Sequence, residues 1–129
     1  MARSYTGRER VDELINHFWR NGYLTLSRRY GKYLPEPKPI GNYVVDAVGR
    51  FKKKYVIGII LSEEDLIDNK IISKLNFLAT RQNNRRDIKV TLYIGVPQNM
   101  VFEASQLIEK TLPEARKNIK IIPLPDNDK

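Results

Sequence analysis

Cysteine is absent from the 129 residues, which excludes a disulfide, a thiolate metal site and a cysteine nucleophile. Histidine occurs once, at His17, so a zinc site built from Cys and His is excluded as well. His17 lies off the apolar stripe of its helix, has no triad partner nearby, and reads as an exposed helix residue. No glycine pattern makes a phosphate cradle; neither GxGxxG nor a P-loop occurs. The longest apolar run covers residues 56–61, far short of a bilayer span. The N-terminal residues lack the basic–apolar–small order of a signal peptide, so the expectation is a cytoplasmic protein with no membrane partner. Internal repeats and low-complexity segments are also missing.

The chain does have basic charge and enough apolar residues for a core. Hydrophobic residues make up 41% of it, which is globular rather than disordered, and 129 residues suit one domain. The expectation is a single domain over 1–129 with a core at about 6–124 and a frayed tail at 125–129. Net charge is +8, a balance that favours polyanionic partners. It is unevenly placed: residues 1–61 carry 12 Lys and Arg against 5 acids, residues 62–129 carry 11 against 10. The excess in the first half suggests a functional surface there.

Hydrophobic periodicity predicts an α/β order. Thr6 and Glu9 read as a capping box before a helix whose stripe is Val11, Leu14, Ile15, Phe18 and Trp19, closed by Asn21-Gly22. Residues 23–30 alternate and read as a strand; 31–41, with Pro35, Pro37 and Pro39, read as a loop. A second strand is expected at 43–48, then a polar turn at 49–54 led by Gly49. Residues 55–61, apolar at both parities, read as a third strand buried on both faces at the sheet centre. Ser62 to Asp65 is either a capping box or a loop. Ile71, Ile72, Leu75, Leu78 and Ala79 share a helix face, and 81–87 form a basic loop. A strand at 88–96, a helix with the stripe Met100, Val101, Ala104, Leu107 and Ile108, and a last strand at 119–124 complete the chain. The order α-β-β-β-α-β-α-β predicts a three-layer sandwich with a mixed central sheet, the strands at 55–61 and 88–96 parallel.

Several of these stretches carry a family resemblance. Gly7-Arg-Glu-Arg-Val-Asp-Glu-Leu-Ile15 leads to Asn21-Gly22-Tyr23 and Arg28, and Val44-Val45-Asp46-Ala47-Val48 follows at the expected hairpin. Over residues 6–96 the chain resembles the restriction-endonuclease-like PD-(D/E)xK nucleases, most nearly the archaeal Holliday junction resolvase-like and tRNA-endonuclease-like domains. The resemblance implies that Asp46 stands where a metal-binding Asp stands, and that the chain forms a homodimer. It also implies a (D/E)-x-K pair on the third strand, where carboxylate and lysine share one face of the sheet. The sequence supplies neither. One register offers Gly58 and Ile60, the other Ile59 and Leu61. A displaced site would need Glu63, Glu64 or Asp65 beside Asp46, with Glu9 or Glu13 as a further ligand and magnesium or manganese as cofactor. The alternatives are that Glu63, Glu64 and Asp65 are N-terminal helix charges and that Asp46 pairs with a basic neighbour such as Arg50 or Lys52.

Three basic clusters stand out. Arg28, Arg29, Tyr30, Lys32 and Tyr33 interleave cations with rings, a pattern that holds phosphates and stacks bases. Arg50, Lys52, Lys53 and Lys54 form the second, and Arg81, Arg85 and Arg86 the third. Each is equally compatible with a solvated turn, since lysines at a sheet edge also discourage aggregation. The reading is a nucleic-acid-binding domain of nuclease-like fold, DNA favoured, with no catalysis and no cofactor. The alternatives are a protein-interaction module or partner subunit of an active enzyme, and a metal-dependent endonuclease with a displaced site.

Overall fold

The structure is a computed structural model that describes residues 7–80 and 89–124. The capping box at Thr6, the arginines at 81, 85 and 86 and the tail at 125–129 fall outside that range, as does the side chain of Lys89.

Helix α1, Gly7–Arg20, buries Val11, Leu14 and Phe18. Its end is a Schellman closure: Tyr23 N–H donates to Phe18 O at 3.0 Å, Gly22 N–H to Trp19 O at 3.0 Å, and Gly22 takes φ 89°, which glycine adopts without a Cβ clash. Trp19, expected on the apolar stripe, is 73% exposed. At 100° per residue it stands one step beyond Phe18, off the contact face.

Strand β1, Leu24–Arg28, pairs antiparallel with β2, Ala47–Phe51, which pairs antiparallel with β3, Lys54–Ile60. The second strand lies later than its sequence pattern suggests. Residues 43–46 lead into it outside regular strand geometry, and the turn shrinks to Lys52 and Lys53. Gly49 is therefore a strand residue. A Cβ there would lie 3.0 Å from Phe18 and 2.9 Å from Val56, so its bareness makes room for the helix rather than for a turn.

Helices α2, Glu63–Ile67, and α3, Lys70–Thr80, replace the single helix expected after β3. Ser62 and Asp65 do form a capping box, each backbone N–H donating to the other's side chain at 2.8 and 3.2 Å. Strand β4, Lys89–Pro97, runs parallel to β3, and after α4, Val101–Thr111, strand β5, Ile119–Leu124, runs parallel to β4. The sheet order is β1-β2-β3-β4-β5, with β3 central and a mixed pairing, as the apolar run predicts.

Both faces of the sheet are covered. Ile57, Ile59, Leu92 and Ile94 pack against Leu75, Leu78, Ala104 and Ile108 from α3 and α4. Val56, Tyr93, Ile122 and Leu124 pack against Leu14 and Phe18 of α1. Alternate residues of β3 thus serve opposite cores, which gives the three-layer α/β sandwich. On the α1 side, Phe18, Tyr23 and Tyr93 form a ring cluster with centroids 5.6 to 6.4 Å apart. Burial lifts the Tyr93 phenol above its ordinary pKa, because phenolate is costly in an apolar site; the neighbouring Tyr23 adds to this. Among the described residues, no helix is long and apolar enough to cross a membrane.

Candidate functional site

The parallel strands β3, β4 and β5 all end on one side of the sheet, and Asp46 enters β2 at that same side. Arg28 pairs with Ala47 and Gly58 with Ala47, so the ends of β1 and β3 flank it. The 29–46 connection is anchored where it leaves and where it returns: Arg29 N–H donates to Asp46 O at 2.9 Å, and Asp46 N–H to Gly58 O at 2.8 Å. Midway, Gly41 at φ 62° lies against Phe77, and Tyr43 meets the Phe77 ring at 5.4 Å, which docks the loop on α3.

A cleft of about 220 Å³ opens here, lined by Gly7, Arg10 and Val11 of α1, Arg29 and Tyr30 after β1, Val44, Asp46, Ile60 of β3 and Lys74 of α3. Asp46 is largely buried and both its oxygens are engaged. Oδ2 accepts the Ile60 N–H at 2.8 Å, and Oδ1 accepts from Arg29 Nη1 at 3.2 Å. Its basic partner is Arg29, not Arg50 or Lys52, because those two lie at the far end of β2. Arg29 also stacks on the Tyr30 ring at 5.0 Å.

The register left open by the sequence is now decided. Gly58 and Ile60 face α1 and the cleft, while Ile59 and Leu61 enter the opposite core. At Gly58 a Cβ would lie 2.6 Å from Leu14 Cδ2 and 2.9 Å from Phe18 Cζ. The space a carboxylate would need is filled by helix side chains.

The residues present do not fit a divalent cation. Such an ion takes several oxygen ligands, and the cleft lining offers one carboxylate, already bonded to an amide and a guanidinium. Neither Glu63 nor Glu64 lines the cleft; both are exposed on α2. Asp65 is held by Ser62. Glu9 and Glu13 of α1 also lie outside the lining, and Glu13 stands 3.7 Å from His17. Among the described residues, no group of three or more His, Cys, Asp or Glu is placed to hold a metal ion. What the cleft offers instead is three cations, Arg10, Arg29 and Lys74, around one carboxylate.

The other sequence candidates divide between the two ends of the sheet. Arg28 turns onto α1, its Nη2 donating to Asp12 Oδ1 at 2.7 Å and its Nε to Arg29 O at 3.1 Å. Lys32 is exposed and Tyr33 is 94% exposed. Arg50, Lys52, Lys53 and Lys54 lie at the opposite end, because Phe51 pairs with Lys54 at the tip of the β2–β3 hairpin. The first two clusters therefore do not converge. Arg81, Arg85 and Arg86 lie outside the described residues.

His17 is half-buried rather than exposed, and burial lowers its pKa below 6.5; Glu13 opposes that shift, while Arg20 and Lys120 reinforce it. Sequence reading missed Arg10 and Lys74. Each is a cation one position from a core residue, Val11 and Leu75, and that flanking position is the signal that it overhangs a helix–sheet seam.

Fold and site together define a three-layer α/β domain with a cationic cleft at the carboxyl ends of its parallel strands. Among solved structures, the chain is similar to the crystal structure of a repair endonuclease from Pyrococcus abyssi, at 17% identity and a TM-score of 0.49, over 98% of this chain and 50% of that one. The chain thus spans half the length of that endonuclease. No protein-family model and no curated protein matches the sequence.

Proposed function

We propose that this domain binds nucleic acid through the phosphate backbone and does not cut it. The supporting observation is the composition of the Asp46 cleft: three cations around a single carboxylate whose oxygens are taken by Ile60 N–H and Arg29. A phosphate diester fits such a cleft by charge and by the fork geometry of arginine. Lys32 and the ring of Tyr33 lie on the segment that leaves the cleft, so cations and a stacking surface share one stretch of chain. In this reading Arg28 holds that segment on α1 through Asp12. DNA is the favoured ligand because of the likeness in sequence to resolvase-like domains, and a homodimer is the assembly that likeness implies.

Cleavage is absent in this reading because the third strand presents Ile60 to the cleft and Gly58 to the packed side chains of α1, and neither binds a metal nor activates water. The test is titration of labelled duplex, single-strand and four-way-junction DNA, followed by incubation with magnesium or manganese. Salt-sensitive binding without cleavage supports the proposal.

One observation favours a second reading, a protein-interaction module. Leu66, Ile67, Met100, Phe102 and Leu107 line an apolar groove between α2 and α4, with Ile67 77% and Phe102 70% exposed. If Phe102→Glu leaves nucleic-acid binding intact while releasing a co-purifying partner, both readings hold on separate surfaces.

A further inference from the structure

We infer that the tip of the β2–β3 hairpin is a second nucleic-acid contact, at the end of the sheet opposite the Asp46 cleft. The inference rests on the reading of the domain as a nucleic-acid binder.

The first observation is backbone conformation. Lys52 holds φ 55° in a two-residue turn between Phe51 and Lys54. A turn that needs a left-handed residue takes Gly, Asn or Asp by default, since a Cβ with a long side chain is strained there. Here a lysine occupies the position, and lysines follow it at 53 and 54. Strain kept at a solvent-facing tip points to a role for the side chain that holds it.

The second observation is the surroundings. Phe51, Lys52, Lys53 and Lys54 are all exposed. The Lys52 ammonium lies 5.4 Å from the Phe51 ring centroid, and the Arg50 guanidinium lies 5.4 Å from that of Tyr55. Arg50 Nε also donates to Lys52 O at 2.7 Å, which braces the turn from within. Cations held beside aromatic rings on a braced hairpin are what a phosphate backbone with exposed base edges selects. No acidic residue occurs from position 47 to 62.

The third observation is distance. Ala47 borders the cleft and Phe51 borders the tip, so the two contacts stand roughly 14 Å apart along β2, four residues at ~3.4 Å each. Sites that far apart without shared partners act additively.

The experiment is fluorescence anisotropy on the full chain with a 20-base-pair duplex over a salt series. It uses the wild-type protein, Lys52→Asn, Arg10→Ala/Lys74→Ala, and the three changes combined. Asparagine tolerates the left-handed turn, so Lys52→Asn should unfold at the same or a higher temperature than wild type. Its affinity should nonetheless fall several-fold at low salt, and its slope of log K against log salt should flatten by about 0.9, one phosphate contact. The losses in log K from Lys52→Asn and from the cleft pair should add in the combined variant. Wild-type binding with an unchanged affinity and slope in Lys52→Asn would overturn the hairpin contact and leave the proposed function standing. If the wild type binds no nucleic acid even at low salt, both are overturned together.

Discussion

The Asp46 carboxylate receives the main-chain N–H of Ile60 at 2.8 Å, which ties the segment entering β2 to the end of the central strand. Arg29 neutralises its other oxygen from the end of β1. One side chain thus joins three neighbouring strands where the 29–46 loop returns. A carboxylate used in this way is a structural pin. Asp46→Ala leaves a part-buried amide and a guanidinium without their acceptor, and a loss of about 1–3 kcal/mol is expected in urea unfolding. Asp46→Asn keeps an acceptor for Ile60 N–H and should cost less. A loss near zero in Asp46→Ala would refute the structural role.

The third strand should resist the introduction of a carboxylate-x-lysine pair. Gly58→Glu with Ile60→Lys would write a carboxylate-x-lysine pair, but the new Cβ at 58 meets Leu14 and Phe18 below 3 Å. Overpacking of this kind costs about 1–3 kcal/mol, and Gly58→Ala alone should show it. The double variant is expected to lose stability without gaining cleavage in magnesium or manganese. Cleavage that appears in the variant would mean that α1 yields more readily than its packing indicates.

The ring cluster under α1 should dominate the smaller core. Phe18 is fully buried and touches Tyr23 and Tyr93. Phe18→Ala should destabilise by about 3–5 kcal/mol. Exposed Trp19→Ala, one residue on, should stay within about 0.5 kcal/mol. Denaturant midpoints for the pair check the assignment of faces.

His17 should give stability a pH dependence on the acid side. Its folded pKa lies below the unfolded value of 6.5, so below that pH the unfolded chain binds the proton more readily. The neutral ring is accommodated at no such cost above about pH 6.5. Stability should therefore fall as pH drops through the unfolded value and level off below the lowered folded one. His17→Gln should flatten this step in thermal melts taken between about pH 5 and 8.

Binding should be electrostatic and should weaken with salt. If about four to six phosphates are contacted, the slope of log K against log salt on a duplex is roughly −3.5 to −5.5. Arg10→Ala/Lys74→Ala should flatten it by up to about 1.8. Arg28→Ala should act chiefly on stability, since its guanidinium is spent on Asp12 and on Arg29 O.

Much of the architecture is determined by local chemistry. The apolar run over 56–61 could be accommodated only where both faces of a strand are covered, which places β3 at the centre. Asn21-Gly22 could end α1 because Gly22 is free to take a positive φ. The absence of a carboxylate-x-lysine pair at 58–61 is likewise legible without coordinates, since both possible registers are apolar. Tertiary structure decided the rest. Which of Gly49 and Lys52 makes the turn depends on Phe18, a residue more than thirty positions away that needs the bare backbone at 49. The partner of Asp46 is set by the pairing of β1 with β2, which brings up Arg29 and carries Arg50 and Lys52 to the other end. Arg10 and Lys74 meet at one cleft because α1 and α3, on opposite faces of the sheet, both reach its end beside Asp46. Periodicity marks which side of a helix is buried, but the neighbours of a flanking cation are chosen by how the layers stack.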